Sequence, residues 1–154
     1  MTRLASLAAS AALVTGLTLA AGPATAFAGE DAVYTARFSD TAVGGYDPVS
    51  FFRGEGVKGS KRFTAEHDGA EFRFASQENL DAFLSDPDRY APQFGGYCAW
   101  AVAEGKLAPG DPAFATVVDG KLYLNFNQQV QDTWNTDRAG FIARAEANWP
   151  AILN

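Results

Sequence analysis

Two Asp-Gly dipeptides, Asp68-Gly69 and Asp119-Gly120, constrain the fold of this chain more than any other feature. Each sits between runs of alternating apolar and polar residues. Asp-Gly is favoured in two-residue type I′ turns, where both central positions need positive φ. The stretch "RFTAEHDGAEFRFAS" (62–76) therefore predicts a hairpin pairing His67 with Ala70, Ala65 with Phe72 and Phe63 with Phe74. Period-two geometry sends those six side chains to one face and Thr64, Glu66, Glu71 and Arg73 to the other. In "FATVVDGKLYLNF" (114–126) the same reasoning predicts a buried face of Ala115, Val117, Leu122 and Leu124.

Helix signals surround the hairpins. In "YDPVSFFRGEG" (46–56), Asp47 can cap a short helical turn, Pro48 suits its first position and Gly54 can end it. Ser76 can cap "QENLDAFL", in which Leu80, Phe83 and Leu84 form an i, i+3, i+4 stripe. Asn127 can cap a helix ending near Trp134, and Thr136 or Asp137 a last helix carrying Phe141, Ile142, Ala145 and Trp149. The expected fold class is α+β: a small antiparallel sheet built from the two Asp-Gly hairpins, with flanking short helices. The two halves rhyme, since Asp68/Asp119, Gly69/Gly120, Gln77/Gln128 and Asp81/Asp132 coincide at an offset of 51. Shared hairpin-to-helix physics is the expected source of a rhyme of that size, ahead of duplication.

The N-terminus reads as an address. One positive charge, Arg3, precedes an uncharged run from Leu4 to Ala21. Gly22-Pro23 breaks the run, and the small-residue triplets Ala24-Thr25-Ala26 and Ala26-Phe27-Ala28 follow. This is the pattern of a secretory signal peptide, residues 1–28, with cleavage expected after Ala28. No twin arginine is present and no cysteine follows the apolar run, so the expected product is an unlipidated, periplasmic protein without stable membrane insertion. Residues 29–154 then form a single domain. Without Arg3, eleven basic residues face eighteen acidic ones, a net charge of −7. An acidic surface repels phosphate backbones and anionic lipid, which excludes nucleic acid as a natural partner. The single cysteine, Cys98, cannot close an internal disulfide, so the domain must stand on its core and its melting temperature should not respond to reductant.

Taken together, "YDPVSFF", "HDGAEFRFASQENLDAFLSDPDRYAPQFGGYCAWAVAEG", "DGKLYLNFN" and "ANWP" resemble the exported YHS-domain proteins of bacteria, over Tyr46 to Pro150. Short YHS modules accompany heavy-metal ATPases and metal-handling proteins, so the resemblance implies metal binding through cysteines. At the positions where short forms carry those cysteines this chain has Ser50, Ala75 and Asn79, while His67 and Ser76 match the histidine and serine of the pattern. Cys98 lies in the "GGYCA" segment typical of longer exported forms.

The candidate chemistry therefore centres on Cys98 and His67. Residues 29–154 hold one cysteine, one histidine and no methionine, which excludes a His₂Cys copper site and a CxxC loop within a monomer. Copper held by Cys98 as principal ligand and His67 as secondary one is the leading reading, drawn mostly from the resemblance. The second is a non-metal ligand-binding or protein-interaction module using the aromatic set Phe94, Tyr97, Trp100, Tyr123 and Trp134. A redox-active or catalytic thiol is third, with Gly95-Gly96 able to supply close backbone approach or N–H donors. An enzyme is the less expected outcome. Free cysteine also packs as a small hydrophobe, and that is the commonest fate of such a residue.

Overall fold

The computed structural model describes residues 29–154; the signal peptide expected over 1–28 lies outside the described residues. The chain is α+β. Strands β1 (Ser60–His67) and β2 (Ala70–Phe74) form the first hairpin, followed by α1 (Gln77–Ser85) and the one-turn α2 (Pro87–Tyr90). A short helix α3 (Ala99–Ala103) leads to β3 (Asp111–Val118) and β4 (Lys121–Asn125), followed by α4 (Gln128–Asn135) and α5 (Arg138–Asn148). Short 3₁₀ segments occupy Val43–Gly45, Pro48–Arg53, Gln93–Gly96 and Ala151–Leu153.

The hairpins form where the Asp-Gly pairs stand, with Asp68 and Asp119 at φ +48° and +50° and Gly69 and Gly120 at +82° and +74°. They remain two separate two-stranded sheets rather than one sheet. The expected register holds for His67–Ala70 and Ala65–Phe72 but not for Phe63–Phe74. An irregularity between Ser60 and Thr64 intervenes, and Phe74 pairs with Ser60. The caps at Asp47, Ser76, Asn127 and Asp137 all form, each side chain accepting backbone N–H bonds from the first helical turn. Two expected apolar faces are revised. Leu84 is exposed and Asn79 takes the buried place one turn below Phe83, while Val117 is exposed because β3 is the outer strand of its hairpin. Strand β4 is instead buried on both faces, with Leu122 and Leu124 on one and Tyr123 and Asn125 on the other.

That double burial joins the halves. Leu122 and Leu124 pack with Phe72, Phe74 and Phe83 in one apolar cluster, and Tyr123 packs with Phe94, Trp134, Phe141 and Ala145 in the other. An isolated hairpin is marginal in water, so neither sheet stands without this shared core.

The rhyme at offset 51 extends through the whole architecture. Strands 60–67 and 70–74 map onto 111–118 and 121–125, and each first strand carries its irregularity at the same place. The left-handed run Val43, Gly44, Gly45 maps onto Phe94, Gly95, Gly96. The bond from Asp47 N–H to the Val57 carbonyl maps onto that from Cys98 N–H to the Ala108 carbonyl, both 2.9 Å. The bridges Tyr46–Lys58 and Thr41–Glu71 map onto Tyr97–Pro109 and Pro92–Leu122. Hairpin physics alone does not reproduce a left-handed tripeptide, a bulge and an inter-segment bridge at one spacing. The chain is a tandem duplication of two units, 41–91 and 92–142, a correction to the expected reading of the rhyme.

Candidate functional site

The positions in question cluster at the start of each unit's first helical segment. In the first unit Asp47 is fully buried and its carboxylate is saturated with donors. Oδ1 accepts from the N–H groups of Val49 (2.9 Å) and Ser50 (3.3 Å), and Oδ2 from Ala75 N–H (2.9 Å) and Asn79 Nδ2 (2.6 Å). Ser50, Ala75 and Asn79 thus converge from three elements on one carboxylate. They are the three positions at which the resembled short forms carry cysteine. Ser50 Oγ is itself spent, donating to the Asp47 carbonyl (2.6 Å) and accepting from Val57 N–H (3.0 Å).

At offset 51 the counterpart of Asp47 is Cys98, also fully buried, at the N-cap of α3. Burial pushes its thiol pKa up. The backbone N–H groups of Ala101, Phe126 and Trp100 pull it down, though by less. These are the counterparts of Ser50, Ala75 and Val49. Asn125, fully buried in β4, turns its amide toward the sulfur, with Sγ 3.7 Å from Oδ1. Cys98 is thus interior, and the Gly95-Gly96 turn before it serves packing. Gly95 lies at φ +59°, and a Cβ there would strike the Ala32 carbonyl.

His67 stands elsewhere. It ends β1 with its ring edge-on to Phe83, centroids 5.6 Å apart, and Nε2 3.4 Å from Asp68 Oδ2, its side chain 21% exposed. It lines a cleft of about 310 Å³ with Asp68, Asp88, Gln93 and the aromatic walls Phe72, Phe94 and Trp149; Cys98 is not among the residues lining it. The structure therefore does not bring Cys98 and His67 into one cavity. The expected aromatic site is also redistributed. Phe94, Tyr97, Tyr123 and Trp134 are core residues, and of that set only Phe94 reaches this cleft. The second unit has the corresponding cleft, about 390 Å³, where Val118, Asp119, Tyr123 and Ala139 replace His67, Asp68, Phe72 and Asp88. The first cleft has the imidazole and the Asp88 carboxylate where the second has Val118 and Ala139, and the second adds Lys121, Arg138 and Glu146.

Asp88 and Gln93 were not singled out from sequence, and Trp149 only as a residue of the last helix. They come from α2, a 3₁₀ turn and the C-terminal segment, and no spacing rule links them. Asn125 had a signal: an amide inside "KLYLNF", two positions from Tyr123 on the strand's interior face.

Fold and site together define a duplicated hairpin-and-helix module with a polar centre at the head of each unit. Residues 49–94 match the YHS domain family, which is associated with metal binding. The match covers most of the first unit, starting after Asp47, and ends three residues into the second. Neither the curated proteins nor the solved structures give a match.

The residues present do not fit a soft metal. Around Asp47 the thiolate positions hold an alcohol, a methyl and an amide, and the alcohol and the amide nitrogen are already hydrogen-bonded. Around Cys98 the sulfur faces three N–H dipoles, whose positive ends oppose a cation, and a single amide oxygen, Asn125 Oδ1. Among the described residues no three His, Cys, Asp or Glu side chains gather to hold a metal ion.

Proposed function

We propose that the protein is an exported small-molecule binding module of the YHS type whose ligand occupies the His67 cleft. The observation that supports this reading is the convergence there of the sole histidine, two carboxylates and three aromatic walls in a concavity of ligand size. No lysine or arginine lines the cleft, and Asp68, Asp88 and the net charge of −7 favour a positively charged ligand. Trp149 offers an aromatic face to such a cation. The ligand class is a small organic cation with an apolar body.

The test is an NMR titration of residues 29–154 with tetramethylammonium and short alkylamines, against carboxylates of equal size. Shifts confined to the His67 ring and the Trp149 indole, weakened about tenfold by Asp88→Asn (roughly 1.4 kcal/mol), are expected. Equal shifts with anions, or none with cations, would refute the reading.

Copper handling through Cys98 and His67 is the second reading, supported by the metal association of the family. It requires the sulfur to leave its ring of N–H donors and meet the imidazole outside the present cleft. Export is proposed on the signal-like residues 1–28. The Glu30 N–H already bonds the Leu153 carbonyl at 2.8 Å, which suits a mature chain starting at Gly29. Intact mass of the secreted product tests that cleavage site.

A further inference from the structure

We propose that the protein carries a second binding surface, an aromatic groove that takes a proline-rich peptide in the polyproline II conformation, with a basic residue flanking the prolines. Two concavities, about 370 and 270 Å³, run on from one another and share Tyr34 and Pro109 as walls. Tyr46, Pro112 and Phe126 help to line the larger one, and Tyr97 the smaller. None of these residues lines the His67 cleft, so the groove is a separate site.

The duplication builds this surface from both units. Tyr46 and Tyr97 are counterparts at offset 51. Each follows a left-handed run, Val43–Gly45 or Phe94–Gly96, and each bridges an incoming segment, at Lys58 or at Pro109. Tyr34 serves both concavities. Its N–H bonds the Gly95 carbonyl at 2.9 Å, and its ring packs on Tyr97 with centroids 5.5 Å apart. Phe126, directly after β4, keeps 48% of its surface exposed, a ring that the core does not use.

The backbone around the groove is not free to extend a sheet. Tyr46 and Tyr97 spend their N–H groups on the Val43 and Phe94 carbonyls, and Pro109 and Pro112 have none. Recognition therefore falls to side chains, and those are flat rings and proline walls. A polyproline II segment suits such a surface. Its pyrrolidine rings pack on aromatic faces, and its carbonyls, which make no internal hydrogen bonds, stay open to phenol donors. Among the described residues the Tyr97 hydroxyl is committed, donating to the Asp31 carbonyl at 3.0 Å, while those of Tyr34 and Tyr46 make no such bond. Charge sets the direction. Glu30 and Asp31 line the smaller concavity, and no lysine or arginine does. The larger one is mixed, with Lys58 and Asp111. Lys58 Nζ lies 4.1 Å from the centroid of the Tyr46 ring, so a cation already covers that ring. A basic residue beside the prolines is thus accommodated at the Glu30–Asp31 end and opposed at the Lys58 end.

The probe is a fluorescein-labelled Arg-Arg-octaproline peptide, titrated by anisotropy against residues 29–154. A comparison peptide keeps the arginines and replaces the prolines by alternating glycine and serine. The proline peptide is expected to bind about tenfold tighter, because its backbone is already ordered. NMR shifts should fall on the Tyr34, Tyr46 and Phe126 rings, and Tyr34→Ala should weaken binding about tenfold. Glu30→Gln with Asp31→Asn should abolish the advantage that the arginines give over octaproline alone, with octaproline binding unchanged. Equal binding of the two arginine peptides, or shifts confined to the His67 cleft, would overturn the proposal. So would a folded Tyr34→Ala that binds as wild type does. If Tyr34→Ala does not fold, Phe126→Ser, which removes a ring standing at the surface, decides by the same criterion.

Discussion

A carboxylate without exposed surface persists at Asp47 because four donors replace the water it gives up. Removing it strands three backbone N–H groups and an amide in the interior. Asp47→Ala should cost about 3 kcal/mol in urea unfolding, against about 1 kcal/mol for an exposed helix cap such as Asp137→Ala. At the counterpart position the thiol carries its own pH dependence. Burial raises the Cys98 pKa in the folded state, so the folded protein binds this proton more tightly than the unfolded chain does. Its contribution is fully present below the thiol's unfolded pKa, near 8.5, and is lost as pH rises through the higher folded value. Tyr97 and Tyr123, also raised by burial, act with the same sign at higher pH. Denaturation curves at pH 7 and 9.5 should therefore show a smaller alkaline loss for Cys98→Ala than for wild type. Position 47 was legible in the sequence as a cap. Its further role as acceptor for Ala75 and Asn79 was not, because those partners arrive from a strand end and a helix 28 and 32 residues away.

At the scale of elements, the Asp-Gly turns and the four polar caps were readable because each is a local device whose physics fits within a few residues. Register beyond the bulge was not: an irregularity lies between Ser60 and Thr64, and just before it Gly59 runs so close to Arg73 that a Cβ would meet its backbone, an approach that no local pattern encodes. The duplication was visible in part at offset 51. Its strongest signs are backbone angles and bridges, which sequence identity does not report. The left-handed turns it repeats differ in tolerance. Gly95→Ala combines φ +59° with a clash on the Ala32 carbonyl and should cost more than about 2 kcal/mol, whereas Gly105→Ala, at φ +69° with open space around it, should cost about 1 kcal/mol. Paired denaturation curves of the two variants check the difference.

For the whole molecule, the decisive element is β4. Its Leu122 and Leu124 complete the core of the first unit while its Tyr123 anchors the second, so the two units are expected to unfold together. A fragment of residues 29–91, which contains nearly all of the YHS match, should show no cooperative melt by circular dichroism; a sharp transition would mean that the first unit folds alone. The same integration separates the two candidate ligands, placing Cys98 in the interior beside β4 and His67 in a cleft on the first hairpin. The measurement that bears most directly on this account is Cu(I) competition with a chromogenic chelator, run on reduced wild type, Cys98→Ser and His67→Ala. Wild type is expected to compete no better than Cys98→Ser, as a thiol ringed by N–H dipoles implies. One equivalent of copper held by wild type and lost with the cysteine would contradict it, and would make Cys98 a metal ligand after all.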